Sequence, residues 1–266
     1  MTITFDDTYW AVVLGGSSGF GLATAQTLAR HGMNVCVVHR DRRGAMEAIE
    51  PRFDEIRATG AGFLAVNTDA LSNAGRAAVL DALAGKLGEH GRVRLLMHSI
   101  AYGNLKPLVS AEGEAVLEDE DFARTVHAMG TSLVTWTQDI LARGMFAADA
   151  RVIAMTSEGN EVAWPGYAAV AAAKCALESV SRAIAVELGP RGIRSNVLQA
   201  GVTDTPALRL IPGSERMKAH ALARNPLGRL TTPADVADLI CLLCTDEARW
   251  VNGALIRVDG GERIAG

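Results

Sequence analysis

Short apolar runs alternate with helical stretches along the whole 266-residue chain, and this alternation restricts the fold more than any other feature. Strand-like runs fall at 10–14, 34–39, 62–67, 93–98, 151–156, 194–198 and 254–258. Helical patterns lie at 20–31, 44–59, 75–90, 119–143, 167–188 and 232–245. Most of the strand-like runs are continuously apolar, as expected where both faces of a parallel sheet are covered. The pattern predicts an α/β fold: one doubly wound Rossmann domain over 1–266, with a seven-stranded parallel sheet and helices on both faces. No linker or charge block divides it. With 49% hydrophobic residues the chain can bury one substantial core.

The net charge of −4 and the lack of a basic tail argue against a nucleic-acid surface. The opening MTITFDDTYW has neither a positive nor an apolar targeting region, and no apolar run approaches membrane-spanning length. A cytoplasmic protein without a membrane span is expected. Cys241 and Cys244 form a CLLC motif inside an apolar helix, with no His or second Cys pair nearby. Together with Cys36 and Cys175 they are expected to be buried free thiols, and no metal site is expected.

After the first strand comes LGGSSGFGLATA, in which Gly15, Gly19 and Gly21 follow a G-x3-G-x-G spacing. Glycines there allow a tight turn and close backbone approach to a pyrophosphate. The following helix N-terminus presents free N–H groups and a positive dipole end. Ser17, Ser18 and Phe20 complete this expected cofactor turn; the serines suit phosphate or a helix cap. The second strand ends in HRDRR, with His39 where a ribose-binding acid would stand and Arg40 next to it. A guanidinium there suits a 2′-phosphate, which favours NADPH over NADH, although a solvated charge cluster would look the same. Asp69 and Ala70 fall where adenine is contacted in such folds, and Asp69 also suits a plain turn.

In YAAVAAAK, Tyr167 precedes Lys174 by seven residues. Seven residues make two helical turns, about 10.5 Å, and return to nearly the same face, so both groups can converge on one ligand. A chance pair on a surface helix is the alternative. His98, at a strand end, suits either a cofactor contact or a structural hydrogen bond.

Taken together, the glycine pattern, Asp69-Ala70, Ser157, Lys174 and the ending LIRVDGG resemble the short-chain dehydrogenase/reductases over essentially the whole chain. Ordinary members carry Tyr four residues before the Lys, and here that position is Val170. The Tyr-x6-Lys spacing resembles the divergent branch that contains the enoyl-acyl-carrier-protein reductases, as does MHSIAYG at 97–103. AGVTDTPALRLIPG (200–213) and NPLGRL (225–230) are similar to its NADPH-using type III members. Leu14 departs from the usual Thr, and Ser157 stands where the best-known enoyl reductases have a second Tyr, though the type III group shares the Ser. The segment 104–121 is longer and more acidic than the family pattern.

The resemblance implies reduction of the 2,3-double bond of an enoyl thioester, with Tyr167 on the thioester carbonyl, Lys174 on the nicotinamide ribose, and Ser157 organising ligand or water. It implies cofactor contacts from Gly15, Ser17, Ser18, Phe20, Gly21, Arg40, Asp69, Ala70, Ser99, Ile100, Ala101, Gly201, Thr203 and Thr205. Tyr102, Gly103, Tyr167 and Leu208 are implied for the substrate. It further implies an acyl carrier protein as thioester carrier and a homotetramer. The segment 206–225 reads as a mobile acyl cover or a helix packed on the body. Arg209, Arg216, Lys218 and Arg224 form a basic edge suited to an acidic carrier or to solvent. A 3-ketoacyl or other carbonyl reductase is the alternative enzyme, and a non-catalytic NADP(H) sensor the alternative outside catalysis.

Overall fold

Successive side chains of a strand point to opposite faces, and both faces of this sheet are apolar. In Tyr9–Leu14 (β1), Val12 and Leu14 enter one buried cluster while Ala11 and Val13 enter the other. The same holds for Asn34–His39 (β2), Phe63–Asn67 (β3), Arg92–His98 (β4), Phe146–Thr156 (β5) and Ile193–Ala200 (β6), β3 being only partly buried, whereas the edge strand Leu255–Val258 (β7) packs Ile256 and Val258 on the second cluster alone. The computed structural model describes residues 3–110 and 113–265. Residues 111–112 of the acidic 104–121 segment lie outside the described residues.

The seven strands are parallel, in the order β3-β2-β1-β4-β5-β6-β7. Nine helices appear among the described residues: Gly19–Arg30 (α1), Met46–Arg57 (α2), Asn73–Leu87 (α3), Asp119–Val126 (α4), Ser132–Ala142 (α5), Ala168–Leu188 (α6), Pro206–Arg209 (α7), Ser214–Arg224 (α8) and Pro233–Leu243 (α9). Leu83 of α3, Trp136 of α5 and Leu177 of α6 pack on one face of the sheet. Leu28 of α1, Phe53 of α2 and Ile240 of α9 pack on the other. The strand order reverses between β1 and β4. Connections there leave in opposite directions and open a crevice at the strand C-termini.

Four departures from the sequence pattern have local causes. The expected helix 119–143 is interrupted by a π-helical turn, His127–Thr131. Gly130 lies in that turn, where a Cβ would come within 2.9 Å of the Ala173 carbonyl, so the turn sits where the helix presses on α6. β5 starts at Phe146 instead of 151, because Asp149 interrupts the apolar run to pair with Arg94 and Arg151. Tyr167 is the N-cap residue of α6 and not its first turn, with φ −107° and ψ 3°. Cys175 is exposed, whereas Cys36, Cys241 and Cys244 are buried free thiols. Burial pushes these three up to about 12, about 11 and about 12. No helix among the described residues is long and apolar enough to cross a membrane.

Candidate active site

A cavity of ≈ 460 Å³ occupies the crevice, bordered by the loops that follow β1, β4, β5 and β6 and by α7 and α8. Its floor is the glycine turn. Gly15 has φ +81°, and a Cβ there would sit 2.4 Å from the Ser99 carbonyl oxygen. A Cβ on Gly21 would sit 2.3 Å from the Gly15 carbonyl, so helix and turn close only because that position is bare. Ser18 caps α1 in position but its side chain makes no capping bond. The first N–H groups of α1 therefore remain available to an anion, and the backbone cradle fits a dinucleotide pyrophosphate.

Fourteen of the expected site residues border this one cavity: Gly15, Ser18, Phe20, Ser99, Ile100, Ala101, Gly103, Ser157, Tyr167, Lys174, Gly201, Thr203, Thr205 and Leu208. The Ser157 and Tyr167 hydroxyls lie 3.3 Å apart. Burial raises the Tyr167 phenol, against a lowering by the Ser157 hydrogen bond, and so keeps it protonated as a donor. Lys174 is 6% exposed and donates to the Met155 carbonyl at 2.7 Å. Burial lowers it to about 8, with Glu178 opposing, so the ammonium persists near neutral pH. Val170, 4% exposed, lines the cavity where ordinary family members carry their Tyr.

Six expected residues lie off this cavity. Gly21 serves helix packing. Ser17 is half-buried beside the turn. The Ala70 carbonyl accepts from the Trp136 indole at 2.9 Å. Asp69 makes the turn the sequence also allowed, its Oδ1 accepting from Leu71 N–H at 3.0 Å, while Oδ2 stands 3.7 Å from Arg40. The Arg40 guanidinium also lies 4.7 Å above the ring of Tyr102, which is 55% exposed. Tyr102 thus joins Arg40 and Asp69 at the rim, away from the acyl pocket where the resemblance put it. His39 is buried and bonded to Asp41 at 2.8 Å, so that carboxylate is already engaged.

His98 is fully buried. Ser132 Oγ gives its one hydrogen to the Ala128 carbonyl, so His98 Nε2 donates to Ser132 at 2.8 Å and Nδ1 carries the lone pair. Burial, and then the charge of Lys174, lower His98 to about 3, which keeps it neutral and structural. Along 206–225, both readings of the sequence are partly met: α7 and α8 form, and Leu208, Leu210, Ile211 and Met217 face the cavity. The basic edge is mostly neutralised. Arg209 and Lys218 pair with Asp204, and Arg224 turns inward onto Glu158 and Glu262. Trp164, Glu158 and Arg263 also line the cavity; their sequence neighbourhoods carry no motif that marks them.

Residues 15–262 match the family described as enoyl-(acyl carrier protein) reductase. An uncharacterised oxidoreductase of Methylorubrum extorquens is 33% identical over 257 residues, covering 95% of this chain and 97% of its own length. A 3-ketoacyl-(acyl-carrier-protein) reductase from Brucella melitensis, solved with NADH, superimposes with a TM-score of 0.77 at 29% identity, over 96% of this chain and 98% of the other. The fold is also shared with an enoyl-[acyl-carrier-protein] reductase (NADH) from Aquifex aeolicus: TM-score 0.82 at 24% identity, over 97% and 98% of the two chains.

Proposed function

The chain belongs to the short-chain dehydrogenase/reductase superfamily and is a nicotinamide-dependent oxidoreductase; from that premise we propose that it reduces the 2,3-double bond of an enoyl thioester with NADPH. The observation that carries this reading is the pairing of Tyr167 with Ser157, 3.3 Å apart, while Val170 fills the position of the ordinary Tyr. The displaced phenol suits a carbonyl oxygen one conjugated bond removed from the reacting carbon.

Hydride would be supplied by the nicotinamide when bound. Addition at Cβ places negative charge on the thioester oxygen, Tyr167 donates a hydrogen bond to that oxygen as the charge develops, and a proton taken up at Cα, drawn ultimately from solvent, completes the saturated thioester. Its raised pKa favours donation over ionisation. Lys174, fixed by the Met155 carbonyl, supplies a positive field beside the same oxygen and donors for a ribose diol. Ser157 orients the phenol. The apolar wall of Trp164, Leu208, Ile211 and Met217 excludes water and suits an acyl chain.

NADPH is favoured by Arg40, because Asp41, which follows it, is bonded to His39 and so is engaged away from a ribose diol. The family description supports acyl carrier protein as thioester carrier; a homotetramer and a cytoplasmic location belong to the same proposal, and exposed Trp250 and Val186 offer apolar surface for contact between copies. The second reading, a 3-ketoacyl-thioester reductase, has the Brucella relative in its favour, since a Ser–Tyr pair also donates to a ketone. Loss of 340 nm absorbance with crotonyl-thioester but not acetoacetyl-thioester is the expected result. Turnover of the ketone alone would establish the second reading, and turnover of neither the sensor.

A further inference from the structure

The helix that roofs the cavity is weakly held by apolar burial. Of the 11 residues of α8, only Ser214 and Ala221 are buried. Lys218 holds its middle to Asp204 at 3.5 Å, and the stronger fastening lies at its C-terminal end. Arg224 Nη2 donates to Glu158 Oε2 at 2.6 Å and to Glu262 Oε1 at 3.1 Å. Both partners lie far away in the chain. Glu158 follows Ser157, and Glu262, 2% exposed, comes from the turn after β7. Asn225 adds a bond to the Asp259 carbonyl at 2.9 Å.

Glu262 has a second engagement. Its carboxylate accepts from Val202 N–H at 3.2 and 3.4 Å, in the loop that borders the cofactor side of the cavity. A Cβ on Gly201 would sit 2.7 Å from Glu262 Oε2, so the loop backbone lies directly on this carboxylate. One buried carboxylate therefore touches both the roof and the cofactor loop. The cluster extends to a second arginine: Arg263 Nε lies 3.4 Å from Glu158 Oε1, while Arg224 Nε has no hydrogen-bond partner among the described residues. Because α8 buries so little apolar surface, these charge pairs supply much of its hold, which suits a contact that opens and re-forms.

We infer that Arg224 and Glu262 are positioning residues forming a latch, which holds α8 over the cavity and couples its closure to nucleotide seated against the 201–205 loop. Filling the cofactor site fixes the loop, the loop fixes Glu262, and Glu262 holds Arg224. The inference rests on the dinucleotide reading of the crevice and is independent of which acyl substrate is reduced.

Hydrogen–deuterium exchange of the intact protein, without nucleotide and with NADP⁺ or NAD⁺, tests it. In the wild type, nucleotide should slow exchange at 15–22 and also, by about tenfold, at 206–224. In Arg224→Gln and Glu262→Gln, 15–22 should still gain protection while 206–224 gains less than about twofold, and Arg224→Lys should restore coupling. The two Gln variants are read independently, so either one that melts cooperatively decides. Undiminished coupling in a folded Gln variant overturns the latch. So does a wild type whose nucleotide protects 15–22 alone. If no nucleotide protects 15–22 in the wild type, the dinucleotide reading itself falls, and the latch with it.

Discussion

The two ends of the sheet use the same residue types in opposite ways. At the N-terminal end of β4 and β5, Arg94 and Arg151 are each 1% exposed. Their Nε groups donate to the Cys244 and Leu243 carbonyls at 2.9 and 2.7 Å, capping the C-terminus of α9. Asp149 receives Arg94, Arg151 and Arg194, and Asp246 receives Arg94 again. Burial would raise the Asp149 carboxyl, but Arg151, Arg94 and Arg194 together hold it below its usual range. Every charge there has a partner on a fixed element. At the C-terminal end, Arg224, Glu158 and Glu262 bridge a thinly buried helix to two loops, with Arg263 at 3.4 Å from Glu158. The first cluster is built to stay shut and the second to move. Ion pairs alone therefore do not say whether a region is structural or functional; what they connect does.

The sharpest break between the two ends is in stability. Arg151→Ala removes a buried guanidinium that pairs with partly buried Asp149 and caps a helix, and should cost about 3–5 kcal/mol in urea unfolding. Arg224→Gln should cost only about 1–2 kcal/mol, since the Arg224 side chain is 16% exposed against 1% for Arg151. Equal costs would erase the distinction.

A second contrast is in pH. His98 is held near 3 when folded, well below the 6.5 of an unperturbed histidine. The unfolded chain binds that proton first, so stability is complete above pH 6.5 and is lost as pH falls toward 3. The expected slope is about 1.4 kcal/mol per pH unit. Comparing wild type with His98→Gln between pH 7.5 and 5 isolates it; identical slopes would mean that His98 is solvated. A smaller effect is expected at the rim, where Arg40→Ala should raise KM for NADPH about tenfold and leave NADH within about twofold. Parallel changes for both nucleotides would remove Arg40 from the 2′-phosphate.

The sequence displays the layered fold because continuous apolar strands and amphipathic helices are local signals. It displays the glycine turn and the Tyr167/Lys174 pair because each depends on short spacing. The split at His127–Thr131 depends on the approach of α6 to Gly130, a tertiary contact that no local pattern records. Likewise Arg224 reads as a surface cation, because Glu158 and Glu262 lie 66 and 38 residues away. Tyr102 looked like a pocket aromatic from its loop, but the nearby Arg40 offers its face a cation at the rim instead.

The measurement closest to the centre of this account is single-turnover reduction of crotonyl-thioester by Tyr167→Phe with NADPH. Removing the hydroxyl proposed to donate to the thioester oxygen should slow the chemical step by about 10²–10³ while nucleotide affinity stays unchanged. A rate near that of the wild type would contradict the role given to Tyr167, and with it the proposed reaction.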